Sequence, residues 1–191
     1  MLRVLVVDED VRRSSEVVAA LTSAGYHVTA VLESGTDLYT KVREVQPDVI
    51  IIDMKSPDRD MLEHLHVISR NDPRAIVMFC QDDAKETISA AVKAGVSAYV
   101  VDGLQPHRIK PILQTAVARF EEFQELRGEL AKAKSSLAER KLLERAKGIL
   151  MKRRGYREDE AYHALRKLAM NRNKRLIEVA ESVIEAEELL G

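Results

Sequence analysis

The sequence predicts an α/β fold, a doubly wound five-stranded parallel sheet, followed by a long helix and a three-helix bundle. Three observations lead to this prediction. Short β-branched runs alternate with amphipathic segments over the first hundred residues, glycines follow several of those segments, and a helical period alone continues from about residue 106 to the end. Strict alternation of strand and helix is typical of a parallel sheet that helices cover on both faces.

The five predicted strands are apolar on both faces, as strands with helices on each side must be. They cover residues 2–7, 28–32, 49–52, 76–79 and 98–101. The segments between them have helical spacing over residues 12–24, 37–45, 61–70 and 84–94. Gly25 and Gly95 follow two of these segments, where a helix commonly ends because glycine accepts the left-handed conformation.

Acidic residues cluster where two of the predicted strands end. Asp8, Glu9 and Asp10 follow the first strand, and Asp53 follows the third. In doubly wound sheets the ligand crevice lies at the carboxyl ends of the strands. Carboxylate oxygens suit a hard divalent cation, so the cluster indicates a site for one.

Residues 1–120 resemble a bacterial response-regulator receiver domain. The resemblance rests on L-V-V-D-E-D at the first strand, I-I-D-M-K-S-P at the third, and A-V-K-A-G-V-S-A-Y-V-V before the long helix. It implies the flavodoxin-like strand order and places Asp53 at the phosphoacceptor position. It also implies a Mg²⁺ site formed by Asp8, Glu9, Asp53 and the carbonyl of Lys55.

Two positions depart from the receiver pattern. Cys80 stands where the family has a switch Thr or Ser, and Asp102 stands where the family has a Lys. A phosphoryl group on Asp53 would lose the ammonium that stabilises its oxygens and would meet another carboxylate. We therefore expect this receiver to signal mainly by binding a partner protein. Ordinary phosphorylation by a sensor kinase is the alternative, and in a third interpretation Asp8 and Asp53 are merely strand-end turn residues.

A single long helix is predicted from Pro106 to about Arg154, and residues 106–145 of it have the spacing of a coiled coil. The seam changes register near Phe123. Its apolar positions are Leu113, Ala116, Phe120, Phe123, Leu126, Leu130, Ala133 and Leu137. Such a seam buries little unless another helix covers it, which predicts a homodimer. Periodicity leaves open that the helix packs against its own receiver instead.

Residues 135–191 are predicted to form a three-helix bundle. The first helix ends at Gly155, the second covers residues 158–171, and the third covers residues 174–190. Asn173 is expected to cap the start of the third helix. Arg157 offers no side-chain cap, so we expect a frayed start of the second helix.

The bundle is strongly basic within a chain whose formal net charge is only −1. Between Arg145 and Arg175 there are 11 Lys or Arg against 3 acidic residues. Because such a patch gains free energy by displacing counterions around phosphates, it predicts a polyanionic partner. The expected RNA-binding residues, with Tyr162 as a stacking or half-buried ring, are Lys147, Arg153, Arg154, Tyr162, Arg166, Lys167, Arg172, Lys174 and Arg175.

The motifs A-K-G-I-L-M, R-R-G-Y, E-A-Y and L-R resemble the ANTAR RNA-binding domain of transcription antiterminators. The resemblance implies that leader mRNA hairpins are the partner and that no reaction is catalysed. Lys147 and Arg166 are the contacts expected first. The domain layout is most similar to antiterminators of nitrate and nitrite assimilation, which implies a ligand-sensing regulatory protein as a further partner.

Composition excludes several other classes. The single cysteine cannot form an internal disulfide, no Cys and His residues have zinc spacing, and no apolar run has the roughly 18 residues of a membrane span. A cytoplasmic location is therefore expected. A DNA-binding response regulator remains an alternative, because the short N-R-N-K turn is compatible with a helix-turn-helix. A signalling adaptor that binds no nucleic acid is the other.

Overall fold

The computed structural model describes the backbone of residues 1–9, 11–101 and 105–190. It divides into two compact units, residues 1–124 and residues 125–191. Asp10 and Asp102, two of the acidic residues singled out from the sequence, lie outside the described residues.

The first unit contains a parallel sheet of five strands in the order β2-β1-β3-β4-β5. This confirms the predicted doubly wound sheet and its flavodoxin-like order. The strands are β1 (Arg3–Asp8), β2 (His27–Glu33), β3 (Val49–Asp53), β4 (Ala75–Cys80) and β5 (Ala98–Val101).

Four helices connect these strands, each within two residues of its predicted bounds. They are α1 (Val11–Ser23), α2 (Leu38–Val45), α3 (Arg59–Asn71) and α4 (Lys85–Ala94). Gly25 and Gly95 have φ angles of 89° and 106°, which confirms that both take the left-handed conformation. A Cβ at Gly95 would also overlap the side chain of Ser69. Both the positive φ and this overlap therefore disfavour any larger residue at position 95.

The sheet is buried on both faces, as its uninterrupted apolar strands predicted. On one face Leu5 and Ile52 belong to a cluster with Leu65 and Ile68 of α3. On the other face the strand residues pack with Leu21 of α1 and with the beginning of the next helix.

That next helix, α5 (Pro106–Arg154), has the predicted bounds, but its apolar positions divide into two groups. Leu113 and Ala116 are fully buried, and Phe120 packs partly against the same sheet cluster. The sequence placed these three residues in a dimer seam, and that assignment is wrong because the receiver core already covers them. Phe123 and the seam positions after it remain exposed.

The second unit consists of the rest of α5 with α6 (Glu158–Arg172) and α7 (Leu176–Leu190), as predicted. Its core is small and consists of Ala146, Leu165, Ala169, Val179, Ala180 and Ile184. Ala146 and Ala180 are fully buried in this cluster.

The bounds of α6 agree with the prediction within one residue, but the capping at its two ends does not. Asn173 adopts φ 50° and terminates α6, so it is not the cap of α7. At the start of α6 the Glu160 carboxylate accepts a hydrogen bond of 2.8 Å from the backbone N–H of Arg157. This bond stabilises the helix start that the sequence had indicated as frayed.

Candidate functional site

The two aspartates of the acidic pocket lie side by side at one edge of the sheet. Asp8 ends β1 and Asp53 ends β3, and the parallel register pairs these two residues. Their residues are only 3% and 9% exposed. Two buried carboxylates at neighbouring strand ends are favourably placed for a cation.

The other two predicted magnesium ligands are placed differently. Glu9 is exposed, and the Lys55 carbonyl oxygen accepts hydrogen bonds from the backbone N–H groups of Gln81 and Asp82, at 3.0 and 3.1 Å. Within the described residues, no three His, Cys, Asp or Glu side chains come together as a metal site. Magnesium usually keeps several waters and needs only one or two carboxylates. Asp8 and Asp53 fit that requirement, whereas the Lys55 carbonyl is already engaged.

The Asp82 side chain joins the two loops beside Asp53. Its carboxylate accepts hydrogen bonds from the hydroxyl of Ser56 at 2.7 Å, the hydroxyl of Thr87 at 3.0 Å and the backbone N–H of Ala84 at 2.9 Å. The Ser56 hydrogen bond is the largest cause that lowers the pKa of Asp82 below its ordinary value. The loop after β3 is thereby fixed to the loop after β4 by groups of the chain itself.

Cys80 lies at the end of β4, where it is fully buried. Burial raises the pKa of its thiol, so the group is a neutral thiol at physiological pH. The nearby Tyr99 donates a hydrogen bond of 2.8 Å from its hydroxyl to the carbonyl of Asp82. Burial also raises the pKa of Tyr99 well above its ordinary value, so this hydroxyl remains a donor.

The basic residues of the second unit divide by whether a carboxylate faces them. Between residues 150 and 175, all of which the structure describes, six exposed cations have no ion-pair partner: Lys152, Arg154, Arg166, Lys167, Arg172 and Lys174. They occupy the end of α5, the outer face of α6 and the turn after it. Charges that are not neutralised within the protein remain available to an external polyanion.

Lys147, one of the two contacts expected first, is placed differently from Arg166. Its side chain is 9% exposed, and its ammonium lies 2.8 Å from carboxylates of both Glu144 and Glu158. Hydrogen bonds to Glu144 and then Glu158 raise the pKa of Lys147. Lys147 therefore joins α5 to the first turn of α6, while Arg166 is exposed.

Two other expected RNA contacts are paired on the surface. The Nε of Arg153 donates to both carboxylate oxygens of Glu187, at 3.0 and 2.9 Å. The Nε of Arg175 lies 3.5 Å from Oε1 of Glu178 in the first turn of α7. These pairs are solvent-accessible and individually weak, so a phosphate could compete with them.

The outer face of α6 combines charge with apolar surface. Tyr162, Arg166 and Met170 follow one another at intervals of four residues and so share one side of the helix. Tyr162 is 37% exposed and its ring meets that of His163 edge to face, with the centroids 6.2 Å apart. A half-exposed ring beside free cations is a surface on which an unpaired base can stack.

The second part of the predicted seam is exposed along α5. Phe123, Leu126, Leu130 and Leu137 are each between 55% and 57% exposed. Four large apolar side chains in line on one helix are a common sign of an interface with another helix.

Sequence reasoning did not identify the Asp82 network or the carboxylates of α7 that pair with α5. A signal for the first was present, because Asp82 and Asp83 lie in the short loop before a helix, where aspartate side chains often accept hydrogen bonds from nearby backbone N–H groups. The second had none, because ion pairs between separate helices depend on how the helices pack. None of the described helices has an apolar stretch of the length that a membrane crossing needs.

Both parts of the chain match known domain families. Residues 4–114 match the response regulator receiver domain, and residues 131–184 match the ANTAR domain.

Known proteins are similar to the chain over different lengths. The transcriptional regulatory protein PdtaR of Mycobacterium tuberculosis is 30% identical over 183 residues, covering 96% of this chain and 89% of that protein. The nitrate regulatory protein of Klebsiella oxytoca is 41% identical over 80 residues, 42% of this chain and 20% of that protein. The signal receiver domain of a modulated diguanylate cyclase from Desulfovibrio desulfuricans has a TM-score of 0.55 at 17% identity, covering 63% of this chain and 97% of that one.

Proposed function

Because this chain belongs to the response regulators that carry a receiver domain and an ANTAR domain, we propose that it binds hairpins in nascent leader mRNA and acts as a transcription antiterminator. The observation that carries the proposal is the group of six exposed, unpaired cations around α6. The Tyr162 ring lies on the same helix, so phosphates and unpaired bases can be bound by one surface.

In this mechanism a homodimer presents two helical units to one transcript. The exposed seam from Phe123 to Leu137 is the proposed contact between the two copies. Each unit binds one hairpin loop, and holding two hairpins together prevents the overlapping terminator from forming. No covalent bond is made or broken.

The receiver is proposed to control the RNA-binding unit mainly by binding a partner protein. The buried Cys80 thiol is a weaker hydrogen-bond donor than a switch hydroxyl, and the Asp82 network already holds the loops beside Asp53 together. Mg²⁺ would be held by Asp8 and Asp53, where it would neutralise their charge. A sensor kinase is the alternative source of input.

Acetyl phosphate with Mg²⁺ tests this role of the receiver. We expect less than stoichiometric labelling of the protein, measured by intact mass. Stoichiometric labelling that is lost in Asp53→Asn would show that ordinary phosphorylation is the input.

The regulated genes are proposed to be those of nitrate or nitrite assimilation. The support is the partial similarity to the nitrate regulatory protein of Klebsiella oxytoca and the resemblance in domain layout. The proposed partner is accordingly a protein that senses nitrate or nitrite and releases the regulator when its ligand is present.

The DNA-binding alternative is disfavoured by the charge of α7. In a helix-turn-helix built from α6 and α7, the second helix would enter the major groove. That helix carries five glutamates and no Lys or Arg between residues 176 and 190. A helix of this charge is repelled by the flanking phosphates.

A binding competition distinguishes the three classes of function. Labelled RNA with two leader hairpins is bound by the full-length protein, and unlabelled RNA or duplex DNA of equal length is added at two salt concentrations. We expect RNA to compete at least tenfold better than DNA. Equal competition would favour the DNA-binding regulator, and no binding of either would favour the adaptor.

A further inference from the structure

Helix α7 places carboxylates directly on two arginines of α5. Arg153 donates from Nε to both oxygens of Glu187, and Arg145 donates from Nη2 to Glu188 at 2.8 Å. Both arginines lie on the side of α5 that faces α7, eight residues apart on the helix. The basic residues of α6 have no such partners among the described residues.

The pairing divides the basic surface into two parts. Arg145 and Arg153 form the part that Glu188 and Glu187 neutralise. The other part is free and includes Arg166 and Lys167 on α6. From net charge alone these two parts are indistinguishable, since all four residues are cations within the same basic stretch.

We infer that Glu187 and Glu188 act as an intramolecular competitor for RNA phosphates, so that RNA binds the α6 face and not the α5–α7 face. The inference rests on the proposed RNA binding and specifies which side of the unit carries it. Arg153 then lies on the α5–α7 face, which does not bind RNA, whereas the sequence had placed it among the expected RNA contacts. The carboxylates also limit non-specific binding, because fewer cations remain for any polyanion.

Competition at this place is physically reasonable because the pairs are accessible. The side chains of Arg145 and Glu188 are 58% and 59% exposed, and those of Arg153 and Glu187 are 52% and 26% exposed. Because both arginines are exposed, each becomes available to a phosphate once its carboxylate is removed.

The test is the double variant Glu187→Gln/Glu188→Gln in the full-length protein, with two-hairpin leader RNA as the probe. Releasing two arginines should raise affinity by roughly two- to tenfold at low salt. The plot of log affinity against log salt should become steeper by up to about 1.8, since each added phosphate contact contributes about 0.9.

A matched control separates the effect of releasing the two arginines from the effect of changing the net charge of the protein. Glu181 and Glu185 are exposed on the same helix and have no ion-pair partner among the described residues. Glu181→Gln/Glu185→Gln removes the same net charge without releasing an arginine. We expect this control to change affinity by less than half as much on a logarithmic scale. Equal effects of the two double variants would overturn the inference.

A second measurement does not depend on how the glutamate variant folds. Arg145→Ala/Arg153→Ala should weaken RNA binding by less than about twofold, whereas Arg166→Ala/Lys167→Ala should weaken it several-fold. A several-fold loss from the first pair would show that those arginines already contact RNA. Failure of the wild-type protein to bind any hairpin would instead refute the proposed function itself.

Discussion

The receiver unit and the helical unit keep their charged residues in opposite environments. In the receiver, Asp8 and Asp53 are buried at the strand ends, and the Asp82 network joins the adjacent loops. In the helical unit, Arg166 and Lys167 are exposed on a bundle with a small core. The first arrangement suits a pocket of fixed geometry, and the second suits a broad contact with a flexible polyanion.

From this difference we expect the two parts of the protein to respond differently to substitution. A buried pocket depends on close packing, so single substitutions around it alter stability. A surface of weakly coupled cations loses binding gradually, roughly in proportion to the charges removed.

The largest effect is expected from removing the free cations of the helical unit together. Arg166→Ala/Lys167→Ala/Arg172→Ala/Lys174→Ala should weaken hairpin binding by about 100-fold or more at low salt, since each lost phosphate contact removes a similar share. The thermal midpoint should change little, because all four side chains are exposed. Fluorescence anisotropy and circular dichroism measure the two quantities. Unchanged affinity would remove α6 from the RNA-binding surface.

The next largest effect is expected on dimerisation, from substitutions in the exposed apolar seam of α5. Leu126→Glu/Leu130→Glu places two charges where apolar contact with a second helix is proposed, and should weaken dimerisation by roughly 100-fold. Light scattering should give half the wild-type mass at micromolar concentration. The control Glu125→Gln/Glu129→Gln changes neighbouring positions outside the seam and should remain dimeric. A monomeric wild-type protein would refute the dimer.

Packing in the receiver is tested at Gly95. Gly95→Ala adds a methyl group against Ser69 at a φ of 106°, so it should destabilise the receiver by about 2 kcal/mol or more. The control Gly25→Ala has a similar φ of 89° with open space around it, and should show the backbone strain alone. Urea unfolding compares the two variants. An equal loss in both would mean that the Ser69 contact is unimportant.

The smallest effect concerns the ion pair between α5 and α6. The hydrogen bond from Lys147 lowers the pKa of Glu158. The pair therefore stabilises the fold fully at pH values above the ordinary glutamate pKa of about 4.3. This contribution is lost as the pH falls through the lowered pKa of Glu158. The raised pKa of Lys147 maintains the contribution well into the alkaline range. Glu158→Gln should therefore have a lower thermal midpoint than wild type at pH 7, and the difference should shrink on acidification below about pH 4. A difference that is constant with pH would contradict the role of the pair.

Much of the receiver followed from its sequence because its signals are local. Apolar runs, glycine stops and strand-end acids each specify structure within a few residues, and the helix and strand bounds agree closely as a result. The sequence could not show which part of α5 the receiver covers. Leu113 and Leu130 belong to the same helical pattern of apolar residues, but Leu113 is buried and Leu130 is exposed. That distinction depends on where the helix meets the sheet.

The functional surface of the second unit was only partly predictable. Charge counting located the basic stretch, but it could not show that Lys147 is held by Glu144 and Glu158 while Arg166 has no ion-pair partner among the described residues. Helical spacing does place Glu144 three residues before Lys147, so one of these pairs was visible in the sequence. The pair with Glu158 required knowledge of how α6 turns back after Gly155.

The salt dependence of hairpin binding by the full-length protein tests RNA recognition most directly. Log affinity for a two-hairpin leader RNA should fall linearly with log salt, with a slope between about −3.6 and −5.4, as expected for four to six phosphate contacts at about 0.9 each. The slope should become shallower by about 3.6 when Arg166, Lys167, Arg172 and Lys174 are replaced together, because Lys152 and Arg154 remain. Absence of binding at low salt, or a slope that this replacement leaves unchanged, would contradict the proposal that these cations bind RNA.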